Sequence, residues 1–263
     1  MELHLQGKTA FVSGSTQGIG FAIASSLAAE GVRVIVNGRS QQGVDAAVAR
    51  LRAAYPAAGH SGRRADFAAP AEVEVLLGEL DDVDILVNNV GIFGLAEFES
   101  VSDEDWARYL EVNVMSGARL SRHLLGGMLR RGWGRVLFIS SESGVNVPAD
   151  MIPYGVTKAA MVALGNGLSK LTRGTGVTVN TVLGGPTYSD GVAATVESIA
   201  RSQSAPVDAV KAAIIGQNCT TLLERFIDPA EIANLVTYLA SPLASATNGA
   251  AVRADGGVLT GLL

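Results

Sequence analysis

The sequence predicts one α/β domain built on a doubly wound, mostly parallel sheet with helices on both faces. Three observations carry this expectation. Short apolar runs alternate with longer stretches of helical period along the whole chain. The short runs (TAFVSG, VRVIVNG, DILVNNVG, RVLFISS, VTVNTVLGG) are nearly continuous in Val, Ile and Leu, as strands buried on both faces must be. No linker, repeat or low-complexity block divides the 263 residues, so 1–263 reads as a single domain.

In chain order, TAFVSG (9–14) is the first strand. GFAIASSLAAEG (20–31) follows as a helix, with Ile23, Leu27 and Ala28 at helical spacing and Gly31 as its stop. VRVIVNG (32–38) is the second strand, and 41–54, rich in Ala, Val and Arg, is the second helix. A short strand falls at 60–67. Pro70 then opens a helix to about Glu79, because a first turn needs no N–H from proline. DILVNNVG (84–91) is a strand, 103–131 one long helix, RVLFISS (135–141) a strand, 154–173 a helix and VTVNTVLGG (177–185) a strand. Asp228 and Pro229 read as N-cap and first residue of a helix over 229–240, and AAVRADGG (250–257) is the last strand.

Apolar residues make up 48% of the chain and charged residues 17%, which supplies a core and excludes a disordered chain. Acidic residues outnumber basic ones, 25 to 20, so no basic field is available for nucleic acid. The one cysteine, Cys219, excludes an intramolecular disulfide and a C-x-x-C site. His4, His60 and His123 lack metal-ligand spacing, so no metal is expected. The start, MELHLQGKTAFVSG, lacks the apolar segment of a signal peptide, and no apolar run reaches the length of a membrane span. The expected setting is cytoplasmic, with no membrane partner.

SGSTQGIG (13–20) joins the first strand to the first helix and places Gly14, Gly18 and Gly20 in a G-x-x-x-G-x-G arrangement. Glycines permit a tight turn and a close ligand, and the helix N–H groups and dipole then face an anion, most naturally a pyrophosphate. This context makes the expected fold Rossmann-type; the other reading of the glycines is simple turn punctuation. Such folds usually end the second strand on a carboxylate for a ribose 2′-hydroxyl, whereas an arginine suits a 2′-phosphate. In VNGRS (36–40), Gly38 takes the acidic place and Arg39 follows, which favours NADP, with NAD as the alternative. Arg39 as a solvated loop residue is the competing reading.

Further pieces join these: Asp66 after the third strand, NNVG (88–91), Asn113 in LEVNV, ISS (139–141), YGVTK (154–158) and GGPT (184–187). In order and spacing the whole chain resembles the short-chain dehydrogenase/reductase family. The resemblance implies a cofactor cleft lined by Gly14, Ser15, Thr16, Gly18, Ile19 and Gly20, and by Arg39. It adds Asp66 and Phe67 at the adenine, Asn88 and Gly91, Tyr154 and Lys158, and Gly185 and Thr187 at the nicotinamide. It implies a catalytic set of Asn113, Ser141, Tyr154 and Lys158. Tyr154 is then the general acid or base, and Lys158 also binds the nicotinamide ribose. Ser141, rather than adjacent Ser140, holds the substrate oxygen, and Asn113 kinks its helix and positions a water that joins Lys158 to solvent. The residue types suit these roles. A phenol of pKa about 10 seldom ionises at neutral pH, a nearby ammonium favours phenolate, and residues four apart share a helix face. For NNVG the other reading is a turn that ties neighbouring strands, which is compatible with cofactor contact. Two departures stand out: Gly184 where family members often carry proline, and Val90 in place of alanine.

Residues 188–224 are expected to cover the substrate as a lid. Their apolar members, Tyr188, Val192, Val196, Ile199, Val207, Ile214 and Ile215, suit a greasy pocket or ordinary helix core equally. The expected function is hydride transfer between NADP(H) and a small carbonyl or alcohol, with the substrate unnamed. A non-catalytic dinucleotide sensor or scaffold is the competing class, disfavoured by the complete Ser141–Tyr154–Lys158 set. A homo-oligomer, a homotetramer by resemblance, is expected, with the 103–131 helix and the apolar tail VLTGLL (258–263) as contacts.

Overall fold

The computed structural model describes residues 2–217 and 221–262, so Cys219 lies outside the described residues. The strands are β1 (Thr9–Val12), β2 (Arg33–Gly38), β3 (Ser61–Arg64), β4 (Ile85–Asn88), β5 (Trp133–Ser141), β6 (Gly176–Gly184) and β7 (Ala251–Ala254). They form one parallel sheet in the order β3-β2-β1-β4-β5-β6-β7. The order reverses between β1 and β4, and at such a switch point an open sheet leaves a crevice beyond its carboxyl ends. The expected doubly wound, Rossmann-type single domain is the observed one.

Each face of the sheet carries its own apolar layer. On one face lie α1 (Gly18–Ala29), α2 (Gln41–Ala54) and α9 (Pro229–Ala240). Ile23, Leu27, Val44, Leu51, Ile232 and Val236 pack there against Val34, Val36 and Val87. The other face carries α3 (Pro70–Gly78), α5 (Ser116–Arg131) and α6 (Ile152–Ser169), where Val73, Leu120, Met128 and Met161 meet Phe11, Leu86 and Phe138. The Asp228 cap holds as read: its carboxylate accepts from Ala230 N–H at 2.8 Å, and Glu231 accepts in return from Asp228 N–H at 2.8 Å. Among the described residues, no helix is long and apolar enough to cross a membrane.

Several boundaries differ from expectation, each for a visible reason. β1 stops at Val12 and β4 at Asn88, where Asn89 N–H donates to Ser13 Oγ and Asn89 Nδ2 to Ser13 O in place of a backbone pair. The long helix over 103–131 is divided into α4 (Asp103–Leu110), a π turn (Glu111–Met115) and α5. Ser116 Oγ, at the start of α5, bonds back to Val112 O in that turn at 2.6 Å, and Asn113 turns its amide inward to other elements. α6 starts two residues before Tyr154, with Pro153 in its first turn. Gly184, at the family's proline position, is held in the sheet by pairing with Ser141 on one side and Ala254 on the other.

The segment after β6 folds as α7 (Asp190–Gln203) and α8 (Val207–Gln217). Val196, Ala200 and Val210 are buried between them, with Tyr188, Val192, Ile199 and Ile214 packed around. The apolar positions of this segment are therefore mainly a helix core of their own.

The α1–α9 layer yields a stability prediction. Ile232 is fully buried at its centre. Ile232→Ala should cost about 2–5 kcal/mol in urea unfolding, the range for emptying a packed core site. Val75→Ala, at an exposed position of α3, should stay within about 0.5 kcal/mol of the parent. Equal effects from the two would contradict this packing.

Candidate active site

The glycine loop is built by polar side chains from three strands. Gly14 and Gly18 both adopt φ 60°, which L side chains resist. Gly14 N–H donates to Asn37 Oδ1 at 3.0 Å, and Asn37 Nδ2 donates onward to Arg63 O at 3.1 Å. Asn89 Nδ2 donates to Ser13 O at 3.0 Å and Gly14 O at 2.9 Å, so NNVG does tie neighbouring strands together. Ser15 is buried, with its hydroxyl spent on Val12 O at 2.7 Å and on Asn37 N–H at 3.1 Å. Gly18 N–H donates to Asp190 Oδ2 at 2.5 Å, which fastens the start of α7 to this loop.

Beside the loop, at the carboxyl end of β2, lies a cleft of about 540 Å³ lined by Thr16, Gln17, Arg39, Ser40, Arg50 and Asp66, among others. A Cβ on Gly38 would stand 2.4 Å from Thr16 Cγ2, so a side chain there would have to displace that methyl, and the glycine puts no carboxylate in the cleft. Two guanidinium groups, Arg39 and Arg50, face the cleft instead. Arg50 also stacks on Phe21, 3.7 Å from the ring centroid. Of the other expected cofactor residues, Ile19 packs at the edge of the core, and the ring of Phe67 is buried with Phe11 and Val73. Asn88 is buried, with Nδ2 on Ser121 Oγ at 3.4 Å and Oδ1 without a protein donor. Gly185 is close-packed on Asp255, whose carbonyl would stand 2.4 Å from an added Cβ. Thr187 is buried, with its hydroxyl on Gly185 O at 2.9 Å.

The four expected catalytic residues come together where β5 ends against α6 and the π turn. Asn113 is fully buried; its Oδ1 accepts from Ile92 N–H at 2.7 Å, and its Nδ2 donates to Ile92 O at 3.0 Å and Thr157 Oγ1 at 2.9 Å. That side chain clamps the loop after β4 to α6. Gly91 lies in the same knot: a Cβ there would stand 3.4 Å from Asn113 Oδ1 and 3.5 Å from Lys158 Nζ. Lys158 is buried, donates to Ile139 O at 2.8 Å and stands 5.5 Å from the Tyr154 ring centroid. Burial lowers its pKa to about 8, and Glu142 partly offsets that by favouring the ammonium. Tyr154 is driven the other way: burial raises its pKa above the phenol's ordinary value, a hydrogen bond with Ser141 pulls it down, and the charge of Glu142 pushes it up again. The two serines separate cleanly, since Ser140 Oγ donates to Lys158 O at 2.8 Å while Ser141 faces Tyr154.

Sequence reading missed Glu142, Tyr109, Phe93 and Arg50. The carboxylate of Glu142 accepts from Ser141 Oγ and, at 3.3 Å, from Ser143 Oγ. Phe93 meets Tyr154 edge-on at 6.2 Å, and Gly94 lies against the Tyr109 hydroxyl. Arg50 had a signal, because it follows Gly43 and Ala47 on one helix face. Glu142 had only its adjacency to Ser141. Among the described residues, no group of three or more His, Cys, Asp or Glu side chains is placed to hold a metal ion.

Residues 8–200 match the family model described as short chain dehydrogenase. The uncharacterized oxidoreductase YvaG of Bacillus subtilis (strain 168) is 44% identical over 260 residues, covering 98% of each chain. D-beta-hydroxybutyrate dehydrogenase of Cupriavidus necator is 33% identical over 257 residues, covering 96% of this chain and 98% of that one. Among solved structures, L-sorbose reductase from Gluconobacter frateurii, complexed with NADPH and L-sorbose, is similar with a TM-score of 0.94 at 28% identity, covering 100% of both chains. With the motifs in register, the sheet order and full-length relatives in agreement, the chain belongs to the short-chain dehydrogenase/reductase family.

Proposed function

We propose that this chain is an NADP(H)-dependent reductase or dehydrogenase of a small carbonyl/alcohol pair, with Tyr154 as its proton donor and acceptor. The observation that carries the reading is the buried Lys158, its Nζ 5.5 Å from the Tyr154 ring centroid and bonded to Ile139 O at 2.8 Å on the strand that ends at Ser141. Bound NADP(H) supplies or accepts the hydride. Tyr154, held protonated at neutral pH by burial, gives its proton to the substrate oxygen in reduction. The Lys158 ammonium stabilises the phenolate left behind, where preplaced charge is most useful. Asn113 keeps the loop after β4, α6 and therefore Tyr154 in fixed relation. The cleft with Arg39 and Arg50 fits a 2′-phosphate, and Gly38 offers no carboxylate to repel it. The bound NADPH of the L-sorbose reductase structure supports the same choice. The segment 188–224 serves as the lid, fastened to the glycine loop through Asp190. Exposed Leu110 and Met115 on the expected contact helix, with exposed Leu262 in the tail, support the homotetramer.

A panel of ketones, aldehydes and alcohols with NADPH and NADH, followed at the nicotinamide absorbance, tests this reading. Turnover should appear with NADPH on at least one member. Tyr154→Phe, which keeps the ring against Phe93, should lower kcat by about 10²–10⁴-fold, the usual worth of a positioned proton donor, with NADPH affinity retained. Wild-type turnover in that variant would remove Tyr154 from the chemistry. Arg39→Ala and Arg50→Ala should each raise KM for NADPH about tenfold or more, as loss of a charged hydrogen bond does, and leave NADH unaffected. Equal effects on both cofactors would contradict a 2′-phosphate site. Light scattering should return four times the chain mass, and a monomer would refute the assembly.

A further inference from the structure

The segment after β4 brings an apolar side chain to Tyr154 and holds it there. Asn113 fixes Ile92 from both sides, accepting from its N–H at 2.7 Å and donating to its carbonyl at 3.0 Å. Gly94 lies against Tyr109, whose hydroxyl would stand 3.1 Å from an added Cβ. Between these anchors, the Phe93 ring meets Tyr154 edge-on, 6.2 Å between centroids. The tip of the same ring lies by the first turn of α7, 4.0 Å from where a Cβ on Gly191 would be. Phe93 is nevertheless 50% exposed. A second segment runs alongside, joined by Ala96 N–H to Asp150 O at 2.9 Å. It sets Val147 against Gly155, the neighbour of Tyr154, so closely that an added Cβ there would stand 2.5 Å from Val147 Cγ1. Val147 is exposed too, as are Leu95 and Phe98 further along the first segment. Exposed apolar side chains gathered in this way mark a contact surface, and this one begins at the proposed proton donor.

The charge around this surface has one sign. In 91–101 the charged residues are Glu97 and Glu99, and in 142–153 they are Glu142 and Asp150. The first turn of α4 adds Asp103, Glu104 and Asp105, against Arg108 in its last turn. Lys158 is buried, with its ammonium on Ile139 O at 2.8 Å. A carboxylate or phosphate on the substrate would therefore approach charges of its own sign, while a sugar's hydroxyls would lie on Phe93 and Val147, which offer them no hydrogen bond. Resting on the reductase reading above, we infer that Phe93 is a specificity-determining residue, the seat for an apolar chain or ring next to the reacting carbonyl, and that the substrate is a neutral apolar ketone or aldehyde, or the matching alcohol. The clamp on Ile92 gives the seat its function: an aromatic ring on fixed backbone orders the substrate without first having to be ordered itself.

Matched carbonyls with NADPH test this. Methyl pentyl ketone and benzylacetone carry an apolar chain or ring, levulinate carries a carboxylate, and a ketohexose carries hydroxyls. In the wild type, kcat/KM should be on the order of tenfold or more higher for the first two than for the others. Added salt should speed levulinate reduction by screening the acidic rim and leave benzylacetone unchanged. Phe93→Ala should lower kcat/KM for the apolar ketones on the order of tenfold, as lost apolar contact does, and change acetone little; Phe93→Leu should restore part of the loss. A ring that only props Tyr154 would instead lower every substrate by one factor, and that result would overturn the inference. Preference for levulinate or the ketohexose would overturn it as well. So would a Phe93→Ala variant of lower assembly mass and unaltered substrate preference, which would make the surface a subunit contact. Saturation-transfer NMR with acetanilide, a neutral ring compound that is not reduced, reads the seat without turnover. Its ring protons should respond with the wild type and NADPH, and lose that response in Phe93→Ala, whereas benzoate should give none. Failure of the wild type to reduce any carbonyl would defeat the reductase reading, and the NMR arm would still decide the role of Phe93.

Discussion

A parallel sheet leaves backbone groups without ladder partners where its strands end, and here those ends are also the site. Unpaired, such buried groups would be costly. The chain satisfies them with a row of buried polar side chains. Ser13 and Asn89 join the ends of β1 and β4, Asn37 joins the glycine loop to β3, and Asn113 joins the loop after β4 to α6. Each contact spans more than twenty positions in sequence. The glycine loop, Tyr154 and Lys158 hold their relative positions because these stitches leave the strand ends few alternatives. The π turn belongs to the same constraint, since it lets Asn113 face inward from a helix whose other residues follow the ordinary period.

The electrostatics of the site are a contest between burial and neighbouring charge. Burial drives Lys158 toward the neutral amine and Tyr154 toward the neutral phenol. Those tendencies oppose one another chemically, because a neutral lysine cannot favour phenolate. Glu142 shifts both groups upward, which keeps Lys158 charged near neutral pH at the cost of a less acidic Tyr154. The balance suits a residue that starts as an acid and must regain its proton. It also gives a carboxylate next to Ser141 a reason to be there beyond solvation.

The fold was legible because its signals are local. Continuous apolar strands, helical spacing of Ile23 and Leu27, and the Asp228–Pro229 start can each be read within a few residues. Tyr154 and Lys158 were legible for the same reason, and resemblance supplied Ser141 and Asn113. What escaped depends on contacts distant in sequence. Asn37 reads as one more strand residue in VRVIVNG, yet it anchors the glycine loop. The Ser15 hydroxyl closes a turn and the Phe67 ring fills the core, contacts that their neighbours in sequence do not announce. Glu142 was invisible because the turn that carries it is set by the packing of Gly144 on Lys158 and of Gly155 on Ser143. The break in the 103–131 helix was hidden because apolar spacing continues across it.

The central claim is that the nicotinamide carbon and Tyr154 divide the transfer between them, hydride from one and proton from the other. Reduction of an accepted ketone with NADPH deuterated at the transferring C4 position tests it most directly. The account predicts one deuterium on the alcohol carbon of the product, and none at that carbon when the label is in the solvent instead. Solvent-derived deuterium on that carbon would contradict it.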